Sequence, residues 1–380
     1  MKWHIFCRVI DNFGDIGVCW RLASRLHRRY GEQVHLWLDD LDALRALCPK
    51  TAHANHQWLN GIRVHRWQQP FKPLRELRHA EVVVEAFGCE LPDTLLHQMR
   101  QSQPQPVWIN LEYLSAEPWV DQLHGLPSPV QGMHKTFFFP GFTARTGGLL
   151  ADETLYGLPG QLQQTGSRRR LFRQLGIDPE LAGLALHISL FSYENSRLPE
   201  LLDSLCSSPR PVHLCVPQGR ISQAVAGWLG QPLQAGCSDR RASLYLSAVP
   251  FMAQPDYDRL LASCQLNFVR GEESFVRAQM LGLPLVWHIY PQDDHAHHDK
   301  LDAFLQRYLQ DCPVELKQPL RAAFMAWNRP DAPPADWLAL LDMLPRWQAC
   351  ASDWRRQLLA HGDLAGTLLE HARQQRLARL

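Results

Sequence analysis

Short apolar runs alternate along this chain with stretches of helical periodicity, and that alternation leaves few folds open. Trp3 to Ile10 reads as a buried strand. The segment after it puts Ile16, Cys19, Leu22, Ala23, Leu26 and Tyr30 on one helical face, ended by Gly31. Val34 to Leu38, Ile62 to Trp67, Glu81 to Phe87 and Pro106 to Asn110 read as further strands, with helices at Leu41 to Leu47 and Pro92 to Met99. A second series repeats the pattern, with strands at Leu184 to Leu190, Val212 to Val216, Leu244 to Val249, Gln265 to Val269 and Leu285 to His288. Such alternation predicts parallel sheets with helices on both faces.

The remainder reads as helical: Lys300 to Leu309, Leu320 to Trp327, Ala335 to Leu344, and one long helix from Gln348 to about Arg379. Ala151 to Ser167 is rich in Gly, Pro and Gln without a sustained period, which is the mark of a linker. The expected division is a Rossmann-like domain over residues 1–155, a linker over 156–165, a second Rossmann-like domain over 166–350, and a helix over 351–380 that crosses back to the first domain. Two such sheets are expected to leave a cleft at the carboxyl ends of their strands.

Composition narrows the function classes. With 39 Lys and Arg against 38 Asp and Glu, the net charge of +1 argues against a strongly basic nucleic-acid binder. No apolar run reaches the ~20 residues a bilayer span needs, and no secretory leader is expected from Met1-Lys2-Trp3-His4. Ten scattered cysteines without a C-x-x-C pair are expected to be buried free thiols in a reducing cytoplasm.

Chemistry is concentrated at two strand-to-helix turns. The first is Ile10-Asp11-Asn12-Phe13-Gly14-Asp15-Ile16-Gly17. A dinucleotide fold would place G-x-G-x-x-G here, because a pyrophosphate needs close backbone approach and no negative side chain. This turn carries two carboxylates instead, Asp11 and Asp15, with Gly14 and Gly17 giving room to bend. They would repel a phosphate and suit a cation, a hydroxyl or a guanidinium. The competing reading makes Asp15 a helix N-cap and Asp11 a turn residue.

The second turn is Arg270-Gly271-Glu272-Glu273-Ser274-Phe275. A helix N-terminus with an adjacent arginine suits phosphate without a metal. Ser274 would cap that helix, and the two glutamates can accept bonds from sugar hydroxyls; a capped helix with a solvated acidic first turn accounts for the same residues. Phe191, Tyr193 and Phe251 fall at strand-to-helix loops of this half, where an aromatic face can stack a nucleobase, and Gln254 can read a base edge. Polar residues also follow the strand at Pro106 to Asn110, among them Tyr113. The run from His288 to His298 holds four histidines, but its spacing fits no usual zinc pattern; no metal site is expected, and a loop closing over the cleft is.

Four segments then carry a resemblance: residues 10–17, Glu112-Tyr113-Leu114-Ser115-Ala116-Glu117, Arg270 to Arg277, and Trp287-His288-Ile289-Tyr290-Pro291-Gln292-Asp293. In this order, and over nearly the whole chain, the sequence resembles the bacterial protein-arginine rhamnosyltransferases of elongation factor P. The resemblance implies an α/β fold of the glycosyltransferase-B type, with two Rossmann-like domains facing across a cleft and a helical C-terminal segment. It implies dTDP-β-L-rhamnose as donor, bound by the C-terminal domain, and no cofactor. It implies an arginine of elongation factor P as acceptor, bound by the N-terminal domain, and an inverting transfer that relieves ribosome stalling at polyproline. Neither nucleic acid nor a membrane is an expected partner.

Carried onto this chain, the resemblance places the general base on Asp15 and a second essential acid on Asp11. It places donor contacts on Phe191, Tyr193, Phe251, Gln254, Arg270, Glu272, Glu273 and Ser274. Glu272 is grouped with the catalytic acids. Asn12, Phe13, Gly14, Ile16, Gly17, Tyr113, Gly271 and Phe275 complete the expected substrate contacts. At Glu273 the family pattern often has Asp; the extra methylene still reaches a hydroxyl. The rival readings are another sugar-nucleotide enzyme such as an epimerase, which needs no protein acceptor, and a non-catalytic module that binds a translation factor.

Overall fold

A computed structural model describes residues 1–9, 13–68, 70–71, 75–130 and 132–378. The chain divides into two units, Met1–Ala151 with Leu358–Leu380, and Asp152–Gln357.

The first unit holds β1 (Lys2–Cys7), β2 (Gln33–Leu38), β3 (His56–Leu59), β4 (Ile62–Arg66), β5 (Val82–Ala86), β6 (Val107–Leu111), β7 (Pro127–Val130) and β8 (Met133–Phe138). They form one sheet in the order β3-β4-β2-β1-β5-β6-β8-β7. All neighbours are parallel except the outermost pairs, β3 with β4 and β7 with β8. Alternate residues of β1 enter separate cores. Trp3, Ile5 and Cys7 pack with the Ile16, Cys19, Leu22 and Leu26 face of the helix Gly14–Tyr30, while Phe6 packs with Trp37, Trp67 and Val83 on the other side. Burial on both faces is why these strands read as unbroken apolar runs.

The second unit holds β9 (Leu186–Leu190), β10 (Val212–Pro217), β11 (Ser238–Arg241), β12 (Leu244–Val249), β13 (Leu266–Arg270) and β14 (Leu285–His288), in the order β11-β12-β10-β9-β13-β14. In both sheets the order reverses beside the first strand: β1 lies between β2 and β5, and β9 between β10 and β13. In open α/β sheets the crevice outside the carboxyl ends at that point is where ligands bind.

The ten expected strands are all present. β3, β7, β8 and β11 were not foreseen. Three of them lie at sheet margins, where one side of the ladder is open and little apolar surface is buried; β11 is Ser-Asp-Arg-Arg and β7 opens on a proline, which sheet edges tolerate.

Three expectations are corrected. Residues read as a linker form a short turn at Glu153–Leu155 and helices at Leu158–Leu162 and Thr165–Gln174. Leu155 and Leu162 are buried, and Gln163 Nε2 donates to the Cys264 carbonyl at 3.2 Å. Elements this short cannot show a period. Second, the last helix is two helices, Leu344–Ala360 and Leu364–Leu377. The break is made by Gly362, whose φ of +103° excludes other residues without strain, and by Asp363. Asp363 bridges Leu149 and accepts from Arg25 Nε at 3.1 Å, Tyr30 Oη at 2.9 Å and the Ala151 amide at 3.0 Å. The helix after it then buries Leu364, Leu368 and Leu369 in the core of the first unit. Third, Cys312 and Cys350 form a disulfide, with Cα atoms 5.6 Å apart. Helical packing brings them together from 38 residues apart, a spacing that carries no signal.

Candidate active site

In the first unit, three strand exits at the switch point supply three side chains. After β1, the helix Gly14–Tyr30 begins with Phe13 as its N-cap, and the Phe13 side chain makes no capping hydrogen bond. Asp15 therefore lies inside the first turn and is not the cap. It is 3% exposed, and its Oδ1 accepts a bond of 3.2 Å from the Tyr113 hydroxyl. The partner is 98 residues away, so the carboxylate is held by tertiary structure. Tyr113 follows β6 and is 41% exposed. Its ring stacks on Phe87, which follows β5, with ring centres 4.4 Å apart and planes 15° apart. A buried carboxylate under an exposed phenol ring suits a cation that can stack on the ring and pair with the acid.

Of the other residues expected here, Asp11 and Asn12 lie outside the described residues. Phe13 packs at the edge of the core. Gly14 and Gly17 are within the helix rather than in a bent turn. Ile16 is fully buried, so its side chain is core and not a substrate contact.

In the second unit the corresponding exits are those of β9, β13 and β14. Arg270 ends β13, and its guanidinium carbon lies 4.4 Å from the ring centre of Phe191 and 4.8 Å from that of Tyr193, both just after β9. Two aromatic faces hold the cation without neutralising it. His288, at the end of β14, pairs in register with Arg270. Burial first, then the charges of Arg270 and His297, push its pKa down to about 3. It is thus neutral, and its Nδ1 lies 2.7 Å from Ser192 Oγ. Tyr193 packs edge-on against His288 and the exposed Tyr290.

The helix Glu273–Leu281 starts beside Arg270, with Glu272 in the N-cap position. Ser274 is not the cap. Its hydroxyl accepts from the Arg270 amide at 3.1 Å and donates to the Arg270 carbonyl, which fastens the strand exit to the helix. Gly271 accepts a bond of 2.9 Å from Trp287 Nε1. Gln254 is buried and donates to Glu273 Oε1 at 3.2 Å, so it orients that carboxylate. Phe251 is exposed on the preceding loop. Phe275 is fully buried and stacks on Trp287 at 3.9 Å, which makes its ring interior packing rather than a substrate surface. The Tyr257 phenol, edge-on to Phe191, is pushed up by burial and then by Glu273 and stays neutral.

Sequence reasoning did not single out Phe87, Ser192, Tyr257 or His288 as site residues. The strand expected over Glu81 to Phe87 ends one residue earlier, and Phe87 turns out of β5 with φ +56°. Phe87, Ser192 and His288 share a signal of position, just past or at the end of a strand, whereas Tyr257 sits inside the helix Gln254–Ser263 and has no such signal.

Among the described residues, His295, His297 and His298 gather with ligand atoms within 4.8 Å of one another. The His297 Nδ1 lone pair already receives the Gln292 amide at 3.0 Å, which puts the ring proton on Nε2. A metal could take that ring only by breaking this bond.

Residues 3–373 match the family described as "Elongation-Factor P (EF-P) rhamnosyltransferase EarP". The chain belongs to the EarP family. Two proteins named "Protein-arginine rhamnosyltransferase" are similar to it: one from Pseudomonas putida is 45% identical with 98% of both chains covered, and one from Pseudomonas aeruginosa is 43% identical with 97% of this chain and 98% of that one covered. A solved structure described as "Structural basis for EarP-mediated arginine glycosylation of translation elongation factor EF-P" is similar at a TM-score of 0.69 and 34% identity, over 98% of this chain and 99% of that one. The fold of this EarP-family chain is accordingly of the glycosyltransferase-B type, with two Rossmann-like units and helices at the C-terminus. No helix among the described residues is long and apolar enough to cross a membrane.

Proposed function

We propose that this chain moves L-rhamnose from dTDP-β-L-rhamnose to an arginine of elongation factor P in the cytoplasm, by inverting single displacement and without a metal. Membership of the EarP family supports the activity, the donor and the acceptor. The observation that carries the mechanism is the buried Asp15 carboxylate at the switch point of the first sheet.

A guanidinium holds its proton to a pKa above ~12 and is a poor nucleophile. Asp15 pairs with it, localises its charge and accepts the proton as nitrogen bonds to C1 of the sugar. The C1–oxygen bond breaks with its electron pair leaving on dTDP, opposite the incoming nitrogen. Developing oxocarbenium charge at C1 is stabilised by carboxylates, a part assigned to Glu272, as in glycoside hydrolysis. Arg270 and the N-terminus of the helix Glu273–Leu281 take the negative charge of the leaving diphosphate, which removes the need for a divalent cation. Phe191, Tyr193 and Phe251 offer faces to the base, and Glu273, turned by Gln254, meets a sugar hydroxyl.

The test is the intact mass of elongation factor P after incubation with this chain and dTDP-rhamnose, with excess chelator present. One added deoxyhexose on arginine, α-linked by proton NMR, is expected. An unchanged mass is what an epimerase or a binding module would give. Activity lost to the chelator and restored by one metal would remove metal independence.

A further inference from the structure

Phe87 is an unexpected residue for the turn it occupies. It and Gly88 have φ of +56° and +61°, and the Cys89 amide bonds the Ala86 carbonyl at 3.2 Å. Two successive left-handed residues closed by such a bond are the pattern of a type I′ turn, whose first central position favours Asn, Asp or Gly. A bulky aromatic there is strained. The strain is held in place by the Phe87 amide, which donates to the Leu111 carbonyl at 2.7 Å, on the neighbouring strand exit. The backbone is therefore fixed against the strand that leads to Tyr113.

The ring explains the choice. It is nearly buried and lies flat against Tyr113, a side chain that is 41% exposed. An exposed tyrosine keeps its hydroxyl 3.2 Å from Asp15 only if something fixes its ring, and Phe87 supplies that floor. We infer that Phe87 is a positioning residue: its strained turn presses the ring under Tyr113, whose hydroxyl then fixes the Asp15 carboxylate for the acceptor. This rests on the reading of Asp15 as the general base.

A residue that merely fills the core would act independently of Tyr113, so a double-mutant cycle decides. Transfer from dTDP-rhamnose to elongation factor P is measured for Phe87→Leu, Tyr113→Phe, the double variant and Phe87→Tyr, with dTDP affinity by titration calorimetry. Misplacement of a catalytic group by a fraction of an ångström is expected to lower kcat about tenfold in each single variant. The double variant should be no slower than the slower single, Phe87→Tyr should return to within about twofold, and dTDP affinity should stay unchanged. A Phe87→Leu variant with parental kcat, or a double variant showing the product of both losses, overturns the inference. Phe87→Gly guards against misfolding, because glycine suits this backbone: it should fold and still lose rate, and a fully active Phe87→Gly variant overturns the inference too. Asp15→Asn separates the two readings. If Asp15→Asn remains active the base assignment fails whatever Phe87 does; if it is dead while the Phe87 variants match the parent, only the positioning role fails.

Discussion

The two units build their clusters from the same three strand exits and give them opposite character. β1, β5 and β6 deliver Asp15, Phe87 and Tyr113, a buried acid beneath a stacked aromatic pair. β9, β13 and β14 deliver Phe191 with Tyr193, Arg270 and His288, a cation between aromatic faces beside a neutral imidazole. Topology therefore supplies the address, and the residues at it supply the sign. One unit suits a positively charged group and the other a negatively charged one. A second parallel runs through the sheets themselves. His4 pairs in register with His35 in the first, and His187 with His213 in the second. The first pair continues through His65 to the exposed His56, whereas the second is closed by Ser247.

The largest effect expected on this comparison is Asp15→Asn. Removal of the proposed general base should lower transfer by about 10³-fold, while dTDP affinity, which we assign to the second unit, stays unchanged by calorimetry. Loss of dTDP binding in this variant would break the division of labour.

Acid should weaken both units together. Burial, above all other causes, lowers His35 to about 4, His65 to about 3, His187 to about 2 and His213 to about 3. Their unfolded values lie near 6.5, so the unfolded chain takes up more protons below that pH. The stability these neutral rings contribute is present above about pH 6.5 and is lost as pH falls toward 4, on the order of 3 kcal/mol for each ring. Urea unfolding between pH 7.5 and 4.5 should show a falling midpoint; a flat one would mean the rings are solvated.

Arg270→Ala should weaken dTDP binding by about 10- to 100-fold, the worth of a charged hydrogen-bond donor. Arg270→Lys should recover little, because an ammonium cannot stack between Phe191 and Tyr193 as a planar fork does. The smallest effect expected is Glu273→Asp. Shortening by one methylene moves the carboxylate away from Gln254 and should change donor KM by about threefold or less. A larger loss would put Glu273 closer to the reaction than a hydroxyl contact.

Much of this was readable along the chain. Strands covered on both faces must be apolar throughout, so β1, β5 and β13 announce themselves, and an acid or arginine just past such a run stands out. Ser274 and Asp15 show the limit. Both are residue types that cap helices, and both sit two residues past the cap position. Their real partners, the Arg270 backbone and the Tyr113 hydroxyl, depend on where neighbouring strands end. Phe275 and Ile16 fall inside site motifs yet face the core, because a helix turns its side chains through 100° per residue and only some reach the ligand side.

The sequence alone determined two doubly covered parallel sheets, the sign of the charge at each switch point, and the family, because those rest on local pattern and residue type. Tertiary structure alone decided what holds each charge in place: Phe87 under Tyr113, Ser192 on His288, Asp363 breaking the last helix, Cys312 against Cys350. Those contacts join residues 26 to 212 positions apart, and no local period can encode a distance that only the packing of strands and helices creates.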